Sequence, residues 1–193
     1  ADQAAILERV ANEVGYPCLI KSPCQGSSIG MAIPKDEAHF KKSLLDVFMY
    51  GDLVMVEKFV KGTEVTCAVL DVEDGKSPRA LPVIEICPVD SEFFDYHAKY
   101  TPGACNEIVP ARISAEATKK VQAVAERVHH VIGCSGFSRS DMILDGDDPV
   151  WIEINTIPGM TETSLYPQAA AAAGVSFSQM LTLFVEEALQ RNT

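Results

Sequence analysis

Arg139-Ser-Asp141-Met-Ile-Leu-Asp-Gly146-Asp147-Asp-Pro149-Val-Trp-Ile-Glu153-Ile-Asn155-Thr-Ile-Pro158-Gly159-Met160 is the stretch on which the fold turns. Arg139 and Asp141 alternate with Ser140, Met142 and Leu144, and Glu153 and Asn155 alternate with Ile152 and Ile154. Side chains two apart in a strand share a face, and Gly146, Asp147, Asp148 and Pro149 supply turn chemistry, so the segment reads as a hairpin with one polar face. Centring it on Asp147 sets Asp141 opposite Glu153 and Arg139 opposite Asn155. Two carboxylates facing each other across a ladder repel, so the arrangement calls for something positive between them. Oxygen donors alone, from Asp, Glu and the Asn carbonyl, suit Mg²⁺ or Mn²⁺ rather than zinc.

The rest of the chain bounds what such a site could serve. With 193 residues, 47% of them hydrophobic, it can bury a core in one domain or two small ones. A formal charge of -11, from 27 acids against 16 bases, argues against nucleic acid as a partner. An anionic small substrate would arrive with its metal. The six cysteines (Cys18, Cys24, Cys67, Cys87, Cys105, Cys134) form no Cys-x-x-Cys pair, the usage of a reducing compartment. No signal-like N-terminus and no bilayer-length apolar run is seen, so the expectation is a cytoplasmic protein that does not enter membranes. The chain starts inside an amphipathic helix, with Ile6, Leu7, Val10 and Val14 on one stripe and Gly15 as its stop, which reads as a piece of something longer.

Along the chain, Cys18 to Lys21 reads as a strand leading into Ser22-Pro-Cys-Gln-Gly26-Ser27-Ser28-Ile-Gly30. Asp36 can cap a helix with Phe40, Leu44, Val47 and Phe48 as its apolar face, and Leu53 to Val60 reads as a strand. Longer β elements follow: Glu64 to Val72, a turn at Asp74-Gly75, and Leu81 to Ile86. Cys87 to Gly103 has weak periodicity and several aromatics, the pattern of a functional lid. Ser114 can cap a helix through Val131 with Ala117, Val121, Val124 and Val128 inward. Pro167 is expected to start a short alanine helix at its first position, and Ser176 to Gln179 is a capping box opening a last helix with Met180, Leu181, Phe184, Val185 and Leu189 toward a core.

Each motif has a bland reading beside the functional one. The Gly26-to-Gly30 loop is by itself a hairpin loop, but Lys21 at the preceding strand end makes a phosphate cradle plausible. Glu57 ends an apolar strand, where a carboxylate needs a partner; with Glu64 it either faces water or holds the polar edges of a base and a ribose. Lys99 and Tyr100 are an exposed loop or a closing lid. The four histidines have no ligand spacing and are given no chemistry; His129 and His130 suit a helix C-terminus.

Together, Lys21, the Gly26-Ser-Ser-Ile-Gly30 loop, Glu57-Lys-Phe-Val60, Gly62-Thr-Glu64, Tyr96-His-Ala-Lys99-Tyr100, Arg139-Ser-Asp141 and Glu153-Ile-Asn155-Thr-Ile-Pro-Gly-Met-Thr161 resemble, in order and spacing, the ATP-grasp family, and within it the D-alanine–D-alanine ligases. The resemblance covers essentially the whole chain. It implies an α+β fold in which two subdomains, 1–61 and 62–193, clamp ATP between antiparallel sheets. Lys21, Gly26, Ser27, Ser28, Glu57, Lys58, Phe59, Val60, Glu64 and Lys99 would bind ATP. Asp141, Glu153 and Asn155 would hold two Mg²⁺ or Mn²⁺ ions. Arg139 and the backbone N–H of Gly159 would stabilise an oxyanion, with Ser28 and Tyr100 assisting the chemistry. Tyr100, Ser164 and Leu165 would receive the second substrate. The implied reaction joins two D-alanines through an acyl phosphate for peptidoglycan precursors, in an enzyme that forms homodimers.

Two departures stand out: Ser22-Pro23 replaces the family's proline directly after the lysine, and Gln25 replaces an acid before the first glycine. Residues the family uses for the first D-alanine do not match anything in this chain, which is therefore expected to bind Mg-ATP weakly or not at all and not to ligate unaided. The alternatives are a D-alanine–D-lactate or other carboxylate–amine ligase, and a non-catalytic nucleotide-binding module whose acidic hairpin is a solvated face.

Overall fold

The computed structural model describes residues 3–26, 28–71, 77–88 and 105–191, which divide into two compact units, the first running to Val60 and the second beginning at Lys61. Lys99, Tyr100, Ser27 and the Asp74-Gly75 turn lie outside the described residues.

In the first unit, helix α1 (Gln3–Arg9) runs into a π-helical turn (Val10–Val14) that Gly15 ends at φ 79°. A three-stranded antiparallel sheet follows, ordered β2 (Met31–Ala32), β1 (Cys18–Lys21), β3 (Met55–Lys58). Helix α2 (Glu37–Phe48) starts where the Asp36 carboxylate accepts the His39 N–H at 2.8 Å, the cap its sequence called for. Val10, Cys18, Ile20, Phe40 and Val47 form this unit's core. Phe48, expected inward, is 46% exposed, because the helix ends there and the chain turns away through Met49 and Tyr50. The strand expected over Leu53 to Val60 pairs with β1 only over Met55–Lys58.

The second unit is a larger antiparallel sheet, ordered β7 (Cys105–Ile108), β6 (Ile84–Pro88), β4 (Thr63–Asp71), β8 (Gly136–Asp145), β9 (Asp148–Asn155), with β5 (Arg79–Ala80) paired to β4. Helix α3 (Ala115–Ile132) packs across one face, capped by Ser114, whose hydroxyl accepts the Ala117 N–H at 3.0 Å. Its fully buried stripe is Ala117, Val121, Ala125 and His129, with Val124 half-buried against the same core and Val128 half-buried, so the i, i+4 spacing puts two alanines against the sheet. Alanines let helix and sheet approach closely, and Val65, Cys67, Val69, Val83, Met142 and Leu144 fill the space between. His129, in the last turn of α3, is fully buried: its Nδ1 lies 2.7 Å from Ser138 Oγ and its Nε2 3.3 Å from Asp71.

The opposite face of the sheet is covered at one end by α4 (Leu165–Ala172) and α5 (Phe177–Arg191). Helix α4 begins two residues before the expected start, so Pro167 is its third residue. The capping box forms reciprocally, Ser176 N–H to Gln179 Oε1 at 2.9 Å and Gln179 N–H to Ser176 Oγ at 3.3 Å. Of the five apolar residues expected inward on α5, Met180 is buried and Phe184 stacks on Phe137 (ring centroids 4.3 Å), but Leu181, Val185 and Leu189 are exposed. Among the described residues the helix meets α4 and the Phe137 end of β8 along a narrow stripe, and the apolar pattern is wider than that contact. Among the described residues, no single helix is long and apolar enough to cross a membrane; α4 and α5 pass that test only jointly, across a 104° bend.

Candidate functional site

The hairpin forms with the anticipated cross-strand partners, though by a different route. The turn is two residues, Gly146 and Asp147, closed by the Asp145–Asp148 pair, with Gly146 at φ 63° where a type II′ turn reserves its place for glycine. Continued without interruption, that register would put Ile152 opposite Asp141. A bulge between Asp141 and Met142 leaves Ile152 extra on β9, and beyond it Asp141 faces Glu153 and Arg139 faces Asn155. A bulge re-aims side chains by one position, and here it decides whether the two carboxylates meet.

Alternation on β4 adds Glu64 and Thr66 to the same face, since Thr66 pairs with Asp141 and Glu64 with Ile143. Asp141, 9% exposed, is ringed by donors. Arg139 donates from Nε to Oδ1 at 2.9 Å and from its terminal nitrogen to Oδ2 at 2.8 Å, Thr66 Oγ1 donates to Oδ1 at 2.6 Å, and Asn155 Nδ2 donates to Oδ2 at 3.0 Å. The positive charge that the facing carboxylates require is thus present within the protein, as Arg139. Burial acts to lower the Arg139 pKa, but the Asp141 hydrogen bonds and the charges of Asp141, Glu153 and Glu107 outweigh it and hold it above its usual value. Glu153 is exposed on the edge strand, and among the described residues no donor bonds to it. Thr66 was not singled out in the sequence; its signal was a hydroxyl two residues after Glu64 within an apolar strand.

After β9, Gly159 is exposed, and a Cβ there would stand 2.8 Å from Ser164 Oγ, so glycine permits the close approach of that serine. Ser164 Oγ accepts the Thr161 N–H at 3.1 Å and lies 2.7 Å from Thr161 Oγ1, instead of capping α4. The Leu165 side chain is 8% exposed, so what it offers a ligand is its backbone N–H at the start of α4.

In the first unit, Lys21 Nζ stands 2.6 Å from Glu57 Oε2, because Lys21 pairs with Met55 and Glu57 with Leu19, which puts both side chains on one face of the sheet. Glu57 therefore has its partner, and Lys21 is held at the strand end beside the loop. That loop is tied back to α2: Ser22 Oγ donates to the Tyr50 carbonyl at 3.3 Å and Gln25 Nε2 to the same oxygen at 3.2 Å. A carboxylate in place of Gln25 could not donate there, which gives the departure a structural use. Ser28 sits at φ 60° and Gly30 at φ 67°, where a Cβ would strike the Tyr50 ring at 2.8 Å. Phe59 and Val60 follow β3, half-buried.

Among the described residues no group of three His, Cys, Asp or Glu side chains is arranged to hold a metal. Asp141, Glu153 and the Asn155 carbonyl remain an oxygen donor set from two adjacent strands, which fits a hard divalent cation by ligand type.

The family described as "D-ala D-ala ligase C-terminus" matches residues 1–186. The chain belongs to that family. It is 46% identical over 185 residues to the D-alanine–D-alanine ligase of Syntrophobacter fumaroxidans, covering 95% of this chain and 58% of that protein. The D-alanine–D-alanine ligase of Bacillus anthracis, in its structure complexed with ATP, superposes with a TM-score of 0.76 at 29% identity, over 98% of this chain and 55% of that one. The VanG D-Ala:D-Ser ligase of Enterococcus faecalis gives a TM-score of 0.79 at 38% identity, over 95% and 52%. The chain therefore has the α+β ATP-grasp fold and spans little more than half the length of these relatives.

Proposed function

We propose that this chain supplies the nucleotide- and metal-handling part of an ATP-dependent D-alanine–D-alanine ligase. The observation that carries this reading is the cross-strand set Asp141–Glu153 and Arg139–Asn155 on one sheet face, in a chain of this family.

In this reading Asp141, Glu153 and Asn155 would hold two Mg²⁺ ions, or Mn²⁺, which would neutralise phosphate charge. The remaining steps belong to the chain's own groups. In the first unit Lys21 meets phosphate oxygens, the loop of Gly26, Ser27 and Ser28 lies over them, and Glu57, Lys58, Phe59 and Val60 flank the adenine. In the second unit Glu64 takes the ribose hydroxyls. A carboxylate activated as an acyl phosphate is attacked by an amine, and the resulting oxyanion is met by Arg139 and the Gly159 N–H; one such donor is worth about 3 kcal/mol. Ser164 and the Leu165 N–H receive the acceptor's carboxylate, and Lys99 and Tyr100 close over the site. The same reading puts the protein in the cytoplasm, in peptidoglycan precursor synthesis and in a homodimer; the six free thiols agree with a reducing compartment.

Replacing Asp141 or Glu153 by Ala is expected to abolish Mg²⁺-dependent ATP binding, measured in protein of the relatives' length because this chain is expected to bind Mg-ATP weakly or not at all. Binding left intact in both variants would favour the module whose acidic hairpin is a solvated face. A second reading, in which the acceptor is not D-alanine, has the 38% identity to a D-Ala:D-Ser ligase beside it, against 46% to a D-alanine–D-alanine ligase. Turnover of D-alanine, D-serine and D-lactate as acceptors, in protein of the relatives' length, separates the two.

A further inference from the structure

An ionised carboxylate offers about four in-plane lone-pair positions, two on each oxygen. At Asp141 all four are taken: Oδ1 by Arg139 Nε (2.9 Å) and Thr66 Oγ1 (2.6 Å), Oδ2 by the Arg139 terminal nitrogen (2.8 Å) and Asn155 Nδ2 (3.0 Å). Thr66 has a second acceptor in the Ser140 carbonyl at 3.2 Å, but its single proton goes to the nearer, charged oxygen. A cation can therefore reach Asp141 only by displacing a donor.

The four donors are not equal in this respect. Thr66 is 1% exposed and neutral, on the central strand β4, and its hydroxyl can turn only to the Ser140 carbonyl, which would open a single position on Oδ1. Asn155 is neutral, and a rotation of its amide costs it one hydrogen bond. Arg139 alone carries charge, so a dication arriving at Asp141 repels it. It also occupies one position on each oxygen, so its departure opens both at once. It has somewhere to go, because the charge of Glu107 on β7, which is not among the cation's ligands in this reading, already bears on its guanidinium. A guanidinium with a 16% exposed side chain would not be released into an apolar void.

We propose that Arg139 is the exchangeable counter-ion of Asp141, so that a divalent cation and the guanidinium compete for one carboxylate and cation loading releases Arg139 toward the reacting atoms. This rests on the reading of Asp141 as a metal ligand and extends it. The consequence is an ordering device: the cation that meets the oxyanion becomes available only once the metal is in place. Competition is reciprocal, so whatever weakens the hold of Arg139 on Asp141 must strengthen cation binding by the same factor.

The test uses this chain with Mn²⁺ as the probe, its binding followed by electron paramagnetic resonance. Arg139→Gln is expected to bind Mn²⁺ at least about tenfold more tightly than the unaltered chain, since one positive charge close to the dication is removed. Equal or weaker binding overturns the proposal; tighter binding would also follow from removing an arginine that repels the ion without moving, so the arginine signal decides between the two. Because that variant could fail to fold, the unaltered chain is also titrated with Mg²⁺ while arginine Nε–H signals are observed by NMR, the Arg139 signal being identified by its loss in Arg139→Lys. The expected result is a shift and faster exchange with water in step with Mg²⁺ saturation; an unmoved signal at saturation overturns the proposal. Asp141→Asn separates the two layers. If it leaves Mn²⁺ affinity unchanged, the metal reading fails and this inference with it, whereas Asp141-dependent binding with an unmoved Arg139 sinks the exchange alone.

Discussion

Strand β8 presents two faces that solve opposite problems. Ser138, Ser140, Met142 and Leu144 point at α3, where Met142 and Leu144 join a closed apolar core and Ser138 completes a buried bond to His129. Phe137, Arg139, Asp141 and Ile143 point the other way, where among the described residues the Phe137 end is covered by Tyr166 and Phe184. The Ser138–His129–Asp71 cluster has its partners inside the protein, although Ser140 Oγ on the same face is buried without one among the described residues. On the opposite face the partners of Asp141 are inside as well, but one of them is a cation and the neighbouring Glu153 is exposed. The lesson is that burial alone does not separate a structural polar cluster from a functional one; the exchangeability of a donor and an open neighbour do.

If the faces divide labour in this way, damage to one should spare the other. Leu144→Ala on the helix side removes a side chain that is 2% exposed and should cost about 3 kcal/mol of stability, read from urea unfolding. Mn²⁺ affinity of the folded fraction should stay unchanged, and a loss of binding along with stability would break the comparison.

The hairpin and the first unit's order were legible because period-two alternation and turn residues act locally, and both signals are strong between Arg139 and Asn155. The partners at Asp141 were inferred from a turn centred on Asp147, and they hold because a two-residue turn and a one-residue bulge compensate. Neither is visible in composition. Where the expectation failed, the cause was tertiary. Leu181, Val185 and Leu189 make a convincing apolar stripe, but a stripe does not say how wide its neighbour is. Val128 yielded the innermost position to Ala125 and His129, while Val124 kept a half-buried place against the core, because close helix-sheet packing favours small residues and because Ser138 and Asp71 meet the imidazole. Thr66 and the Lys21–Glu57 pair depend on which strands lie side by side, a fact that no single segment carries.

A second test concerns pH on the helix side. Glu85, on β6 opposite Val65, takes hydrogen bonds from the Arg112 side chain at 2.8 and 3.0 Å and from its backbone N–H at 3.0 Å. Chiefly through the Arg112 side chain, and against the effect of burial, its carboxyl is held down at about 2, from 4.5. The unfolded chain then binds the proton first, so this contribution is complete above about pH 4.5 and is lost as pH falls through about 2. It is worth about 3 kcal/mol at neutral pH. Glu85→Gln should be less stable at pH 7 by about 2 kcal/mol, since some hydrogen bonding survives, and should converge with the unaltered chain near pH 2. A gap that persists at low pH would mean that Gln is poorly packed and that charge is not the cause.

The smallest effect is expected where the site's face is closed. Tyr166 is fully buried in α4, its hydroxyl donating to the Val69 carbonyl at 2.9 Å, and burial pushes its own pKa up, so it stays neutral. Its ring meets Phe137 and Phe184 edge-on at 6.0 and 5.7 Å. Tyr166→Phe keeps those ring contacts and removes only the hydroxyl, so the loss should be about 1 kcal/mol, the net worth of one hydrogen bond. The Val69 carbonyl loses this donor, which sets the sign. If the loss exceeded that of Leu144→Ala, the aromatic end would be holding β4 in place through this one bond. Because Asp141 is held by its own four donors and Thr66 by β4, Mn²⁺ affinity should not move with a change this local. Were it to fall with Tyr166→Phe, the covered and open ends of the face would be one cooperative unit, and the separation between a finished surface and an exchangeable site would have to be drawn across the sheet and not along it.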